Sequence, residues 1–146
     1  MRPITLFSNR KVKGLILVVS IAITLVVGQV SWSSSERLSP QELSIRLNSA
    51  DVPLLLDVRS EREFAEGHIP GAINIPYRDI PSRLNELEGF ATKEVIVYCE
   101  IGVRAGIAEI MLEQEGFEYI LTLEGDMEGW RQANLPIDTA LPVSTP

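Results

Sequence analysis

The residues able to do chemistry lie close together, in the stretch E-V-I-V-Y-C-E-I-G-V-R (Glu94–Arg104). Cys99 is the only cysteine of the 146-residue chain. Val95, Ile96, Val97 and Tyr98 before it read as a short, fully buried strand. Beyond the loop a helical pattern begins, with Val103, Ile107, Ile110 and Met111 spaced to share one face, and Gly116 ends it. A cysteine between a strand end and a helix N-terminus sits where unpaired backbone N–H groups converge and the helix dipole favours negative charge. Both effects favour thiolate over thiol, and thiolate is the nucleophile. Gly102 allows the tight turn that aims successive N–H groups at one spot, a nest for an anion. Arg104 falls in the first turn of the predicted helix and Glu113 and Glu115 in its last, the reverse of what the dipole prefers. Each misplaced exposed charge costs about 0.3–1 kcal/mol, and an anion bound beside Arg104 would account for it. A structural ion pair is the equal alternative for Arg104. Glu100 works against the anion, since a carboxylate beside a thiol disfavours the thiolate.

The other candidates weigh less. His68 sits in G-H-I-P-G, a run of turn residues, and nothing in the spacing brings it to Cys99 as a general base. Asp57 and Arg59 read as a buried or half-buried pair at the sheet edge, and Trp130 as core.

Positioning Cys99 requires a sheet, and the rest of the chain supplies one. Ser39, Pro40 and Glu42, with Leu38 and Leu43 as a staple, open a helix that runs to about Asn48. Val52–Val58 is an apolar run of strand length. Ser60 and Glu63 make a capping box over a short helix to Ala65. A short strand around Ala72–Ile75 follows, then a helix from Asp79 to about Leu87. After the cysteine loop and its helix come a strand at Tyr119–Leu123 and a short helix at Met127–Gln132. Strands alternating with helices predict a parallel α/β sheet covered on both faces, and such sheets bind ligands beyond the carboxyl ends of their strands. Cys99 lies at such an end. From Pro136 the chain holds three prolines and little to bury them, which predicts a fraying tail, residues 138–146.

Composition narrows the function. Residues 1–35 hold four basic residues and no acid, so the remaining chain carries 9 basic and 20 acidic residues. So acidic a body repels nucleic acid. One cysteine and one histidine leave no internal disulfide and no Cys- or His-rich metal centre. A basic segment, 1–13, precedes an apolar run, 14–32, and no charge appears from Gly14 to Ser35. As a helix, Lys13 to Trp32 rises about 28 Å, close to the hydrocarbon thickness of a bilayer. The segment is expected to be a transmembrane helix, with a signal peptide cleaved near Ser31-Trp32-Ser33 as the alternative. The basic flank keeps the N-terminus cytoplasmic and places the body outside the cytoplasm, tethered or, after cleavage, secreted. Residues 33–37 read as a linker.

Three stretches, in order, resemble the rhodanese family of sulfurtransferases: L-L-D-V-R-S-E-R-E-F-A-E-G-H-I-P-G-A-I-N-I-P (Leu55–Pro76), V-I-V-Y-C-E-I-G-V-R-A (Val95–Ala105) and L-E-G-D-M-E-G-W (Leu123–Trp130). The resemblance spans residues 38–137. It implies a three-layer α/β/α domain around a five-stranded parallel sheet, and a Cys99 that carries sulfur as a persulfide. It implies a substrate cradle of Glu100, Ile101, Gly102, Val103 and Arg104, with no metal and no organic cofactor. Phosphatases of the same fold space Cys and Arg by five residues; here four intervene, which suits a sulfur atom better than a phosphate. The activity implied is transfer of sulfane sulfur from a small donor, thiosulfate or a persulfide, to a thiophilic acceptor. A non-catalytic, membrane-tethered binding module on the same fold is the second reading. Two positions depart from the family pattern: Glu100 beside the nucleophile, and Asp126 where a second glycine is expected. Both weigh against an anionic donor.

Overall fold

Strand β4, Glu94–Tyr98, lies at the centre of the sheet in a computed structural model that describes residues 36–49 and 52–139. On one side it pairs with β2, Leu54–Asp57, and beyond that lies β3, Ile73–Asn74. On the other side it pairs with β5, Tyr119–Leu123, which carries the edge strand β1, Glu36–Leu38. The order is β1-β5-β4-β2-β3 and every pairing is parallel, as expected of strands joined by helical crossovers. Parallel sheets need cover on both faces, and the strand residues divide accordingly. Leu56, Val95 and Val97 face one apolar cluster, with Ile80, Leu87, Ala108 and Leu112. Leu55, Ile96 and Tyr98 face the other, with Leu43, Met127 and Trp130. The three-layer α/β/α reading therefore holds.

The helices follow their start signals with instructive exceptions. Helix α1, Pro40–Leu47, is capped by Ser39, whose hydroxyl accepts from the Glu42 N–H at 3.3 Å. Glu42 does not close the expected box; its carboxylate takes the Arg46 guanidinium one turn on. Helix α2, Glu61–Glu66, has the complete Ser60–Glu63 box. The helix expected from Asp79 to Leu87 is shorter. Only α3, Ile80–Arg83, is α-helical, and 3-10 turns follow at Leu84–Glu86 and Glu88–Phe90. A 3-10 turn aligns residues three apart, which brings Leu84 and Leu87 to the same core.

The largest correction concerns α4, Val103–Gln114. Its core-facing residues are Ala105, Ala108, Glu109 and Leu112, whereas Val103, Ile107 and Ile110 are exposed. Small alanines bring the helix backbone close to β4 and β5, and the large apolar side chains then point away. A second correction lies at the N-terminal boundary: Glu36 and Arg37, read as linker, pair with Leu121 and Thr122 as part of β1. At the other end, helix α5, Asp126–Gln132, is followed by chain that stays attached as far as Asp138. Trp130 Nε1–H donates to the Pro136 carbonyl at 2.7 Å, and His68 and Asp138 exchange both backbone hydrogen bonds at 2.9 Å. The apolar segment 14–32 and the last residues of the tail lie outside the described residues. Among those described, no helix is long and apolar enough to cross a membrane.

Candidate active site

Cys99 follows the central strand directly and is almost fully buried, at 1% exposure. The Gly102 N–H donates to its Sγ at 3.1 Å. Gly102 has φ +96°, a conformation that other residues adopt only with strain, and a Cβ there would stand 3.0 Å from Asp126 Oδ2. This glycine is thus needed twice, for its dihedral and for the space beside it. It is also the N-cap of α4, so the thiol lies where first-turn N–H groups have no helical acceptor and the dipole favours an anion. One N–H of the expected nest, that of Gly102, points at the sulfur, and Ile101 and Val103 on either side of Gly102 are exposed.

Reciprocal bonds between the loop and α5 hold the nest in shape. The Met127 N–H donates to the Cys99 carbonyl at 3.0 Å and the Glu128 N–H to the Glu100 carbonyl at 3.2 Å. In return the Cys99 N–H donates to Asp126 Oδ1 at 2.7 Å. Asp126 is 6% exposed and has φ +54°. Burial raises its carboxyl above the ordinary range, while hydrogen bonds from the Cys99 N–H and with the Cys99 side chain work the other way. Sequence reasoning marked Asp126 only as a departure from a pattern. Its contact with Cys99 spans 27 positions and has no local signal.

The arginines are placed by carboxylates. Arg104 makes a two-pronged ion pair with Glu63, at 2.7 and 2.8 Å. That pair, together with the Ser60 bonds of the capping box, holds the Glu63 carboxyl far below its usual range; it also raises Arg104, with a smaller contribution from Cys99. Of the two readings of Arg104, the ion pair is the one formed, and it explains a positive charge in the first turn without a bound anion. Arg59 is buried against Asp57, with Nη2 to Oδ2 at 2.6 Å, and also donates to the Gly67 carbonyl at 2.7 Å. Its Nη1 reaches Glu100 Oε2 at 3.2 Å, and Arg131 holds the other Glu100 oxygen. Glu100 is therefore offset by two guanidinium groups, and the expected opposition to the thiolate loses its basis. His68 is structural: Nδ1–H donates to the Phe64 carbonyl at 2.8 Å and the ring stacks on Phe64.

Two cavities flank the loop. One, about 400 Å³, is lined by Val58, Ser60, Tyr77, Arg78 and Arg104. The other, about 300 Å³, is lined by Arg37, Gly102, Glu109 and Asp126 among others. A larger one, about 640 Å³, is lined by Arg46, Val52, Phe90 and Lys93, away from the cysteine loop.

A thiol in an N–H nest, beside a cation on one side and a carboxylate on the other, can be deprotonated, attack, and hold a charged sulfur. Comparison with known proteins agrees. The family model described as rhodanese-like domain matches residues 39–133. A sulfurtransferase of Allochromatium vinosum is 35% identical over 100 residues, covering 68% of this chain and 92% of that protein. In the transcriptional regulator Rv0324 of Mycobacterium tuberculosis the match, 32% identical, covers 83% of this chain and only 53% of the relative. The crystal structure of the Alr3790 protein from Anabaena superposes with a TM-score of 0.65 at 27% identity, covering 73% of this chain and 86% of that one.

Proposed function

The chain belongs to the family of rhodanese-like domains, and from that premise we propose that it is a sulfurtransferase whose sulfur carrier is Cys99. The observation that carries this reading is the Cys99 Sγ at the N-terminus of α4, with the Gly102 N–H 3.1 Å away and the Arg104 guanidinium alongside. The thiolate attacks the outer sulfur of a donor, thiosulfate or a persulfide. The bond to the rest of the donor breaks, and that remainder leaves with the electron pair. The nest then holds Cys99–S–S⁻, whose charge the N–H groups and helix dipole stabilise as they do the thiolate. A thiophilic acceptor, such as cyanide or a thiol, takes the terminal sulfur and regenerates the thiolate. Glu100, Ile101, Gly102, Val103 and Arg104 form the walls of the cradle. No metal or organic cofactor enters this scheme.

The test is turnover. Wild-type protein should convert cyanide to thiocyanate, or a thiol to its persulfide, at the expense of the donor, and Cys99→Ser should reduce that rate to background. Equal rates from the two proteins would refute the proposal.

A binding module is the second reading, favoured by one observation. Ile101, Val103, Ile107 and Ile110 are 66%, 67%, 39% and 56% exposed and form an apolar strip leading from the cysteine loop along α4. Partner capture that survives Cys99→Ser would support it.

We further propose that the domain works outside the cytoplasm, tethered through residues 14–32, on the strength of the basic flank and the uncharged run. Protein that stays in the membrane after alkaline washing, at full-length mass, supports the tether. A shortened soluble form would replace it with a cleaved signal peptide.

A further inference from the structure

We infer that Asp126 is the proton acceptor for the Cys99 thiol, and that the site is thereby built for organic persulfides, R–S–SH, rather than for thiosulfate. The inference rests on the sulfur-transfer reading above and names its donor class.

The Asp126 carboxylate interacts with both the backbone N–H and the side chain of Cys99. Oδ1 accepts from the Cys99 N–H at 2.7 Å. Oδ2 lies 3.0 Å from the position a Cβ would take on Gly102, the residue whose N–H is 3.1 Å from Sγ. A carboxylate can accept at both oxygens, so the backbone bond does not use up its capacity. The charge balance is as telling. Five carboxylates lie on or beside the loop: Asp57, Glu63, Glu100, Glu109 and Asp126. The first three are ion-paired with Arg59 or Arg104, and Glu100 with Arg131 as well. Among the described residues, Asp126 has no ion pair, although it is 6% exposed.

Such a group is costly to keep. Its φ of +54° is one that a glycine would hold freely and an aspartate holds with some strain. Its desolvated charge receives only partial compensation from neighbours. Arg37 on β1 attracts it, Glu100 in the loop repels it, and Glu109 on α4 lines the same cavity without an ion pair. Burial is the main influence, and it makes this carboxyl a better base than an ordinary aspartate.

The donor class follows from where the proton must go. Sγ–H gives its proton to Asp126 as the thiolate attacks the terminal sulfur of R–S–SH. The Sγ–S bond forms, the S–S bond of R–S–SH breaks, and its electron pair leaves on R–S⁻. That leaving thiolate, whose conjugate acid has a pKa of about 8.5 in the simplest case, recovers the proton from Asp126 and departs as R–SH. Cys99 is left as the persulfide Cys–S–SH, which loses its proton to give the Cys99–S–S⁻ described above, so atoms and charge balance without an outside oxidant. Thiosulfate gains only the first half of this cycle, removal of the thiol proton. It arrives as a dianion against an unpaired carboxylate, and its sulfite leaving group has little need of the proton.

The test compares glutathione persulfide with thiosulfate as donors to the full-length chain, one acceptor throughout, from about pH 5 to about pH 9. Wild type should show at least a roughly tenfold higher kcat/KM for the persulfide, with an acid limb where Asp126 becomes protonated. Asp126→Asn keeps the acceptor for the Cys99 N–H and removes the base. It should lower the persulfide kcat/KM by about ten- to a hundredfold and abolish the acid limb, while thiosulfate turnover, relieved of the repulsion, falls less. Asp126→Gly, which accepts the positive φ without strain, should behave the same way and guards against a folding defect in the asparagine variant. Equal loss with both donors, or an acid limb that persists in both variants, would overturn the role of Asp126. Wild-type protein that takes sulfur from neither donor would overturn the sulfurtransferase reading itself, and this inference with it.

Discussion

Replacing Glu63 with glutamine removes one charge and one acceptor oxygen, and its consequences can be worked from the contacts. The carboxylate takes two N–H···O bonds from Arg104, at 2.7 and 2.8 Å, one from the Ser60 N–H at 3.1 Å and one from the Ser60 hydroxyl at 2.5 Å. An amide keeps one acceptor oxygen and the box geometry, but it loses one arginine bond outright, since its NH2 only donates, and the charge in the other. Charge-assisted bonds contribute about 1.5–3 kcal/mol when buried. Here the two side chains are 26% and 28% exposed, so solvent screening reduces the loss to about 1–2 kcal/mol. The sign with pH follows from the depressed Glu63 carboxyl. Its contribution is fully present above the unfolded-state value of about 4.3 and is lost as pH falls towards the lower folded-state value. Denaturant unfolding of both proteins should therefore show a constant gap from about pH 7 to about pH 5, narrowing measurably by about pH 3. A gap that is undetectable at neutral pH, or as large at pH 3 as at pH 7, would refute the assignment of Glu63 as the partner that holds Arg104.

Three further outcomes follow. Gly102→Ala forces a Cβ to 3.0 Å from Asp126 Oδ2 at a left-handed φ, so it should cost about 1–2 kcal/mol in unfolding experiments. It should also slow sulfur transfer at least roughly tenfold, because a misplacement of about 1 Å near reacting atoms is expensive. Ile96→Ala, in the fully buried centre of β4, should lower unfolding free energy by about 2–5 kcal/mol. By contrast, Ile107→Glu and Ile110→Glu, on the outer face of α4, should each change it by less than about 0.5 kcal/mol and leave small-molecule sulfur transfer intact; a large loss from either would return that face to the core.

Much of this architecture could be read from the chain because it is local. The apolar run before Cys99, the glycine three residues on and the Ser60–Glu63 box each describe their own surroundings, and the structure has each where it was expected. The inward face of α4 was misread because burial there follows size of contact rather than hydrophobicity. Ala105 and Ala108 permit close approach to the sheet, while Ile107 and Ile110, the stronger apolar signal, are left outside. Strand β1 escaped notice because three residues, two of them charged, carry no period. The site's ion pairs were the least legible. Arg104 meets Glu63 across 41 positions, and Glu100 meets Arg59 across 41 and Arg131 across 31. Read singly, Glu100 looked like an obstacle to the thiolate; in the fold it is a bridge between two arginines.

The claim that Cys99 carries sulfur is tested most directly by intact mass, followed by peptide mapping, after incubation with a sulfane-sulfur donor. Wild-type protein should gain one sulfur, about 32 Da, on the peptide containing Cys99, and lose it again to cyanide or dithiothreitol. Cys99→Ser should fold with the same unfolding free energy to within about 1 kcal/mol and gain nothing. A wild-type mass that stays unchanged across thiosulfate, mercaptopyruvate and glutathione persulfide, or a gain that persists in Cys99→Ser, would contradict it.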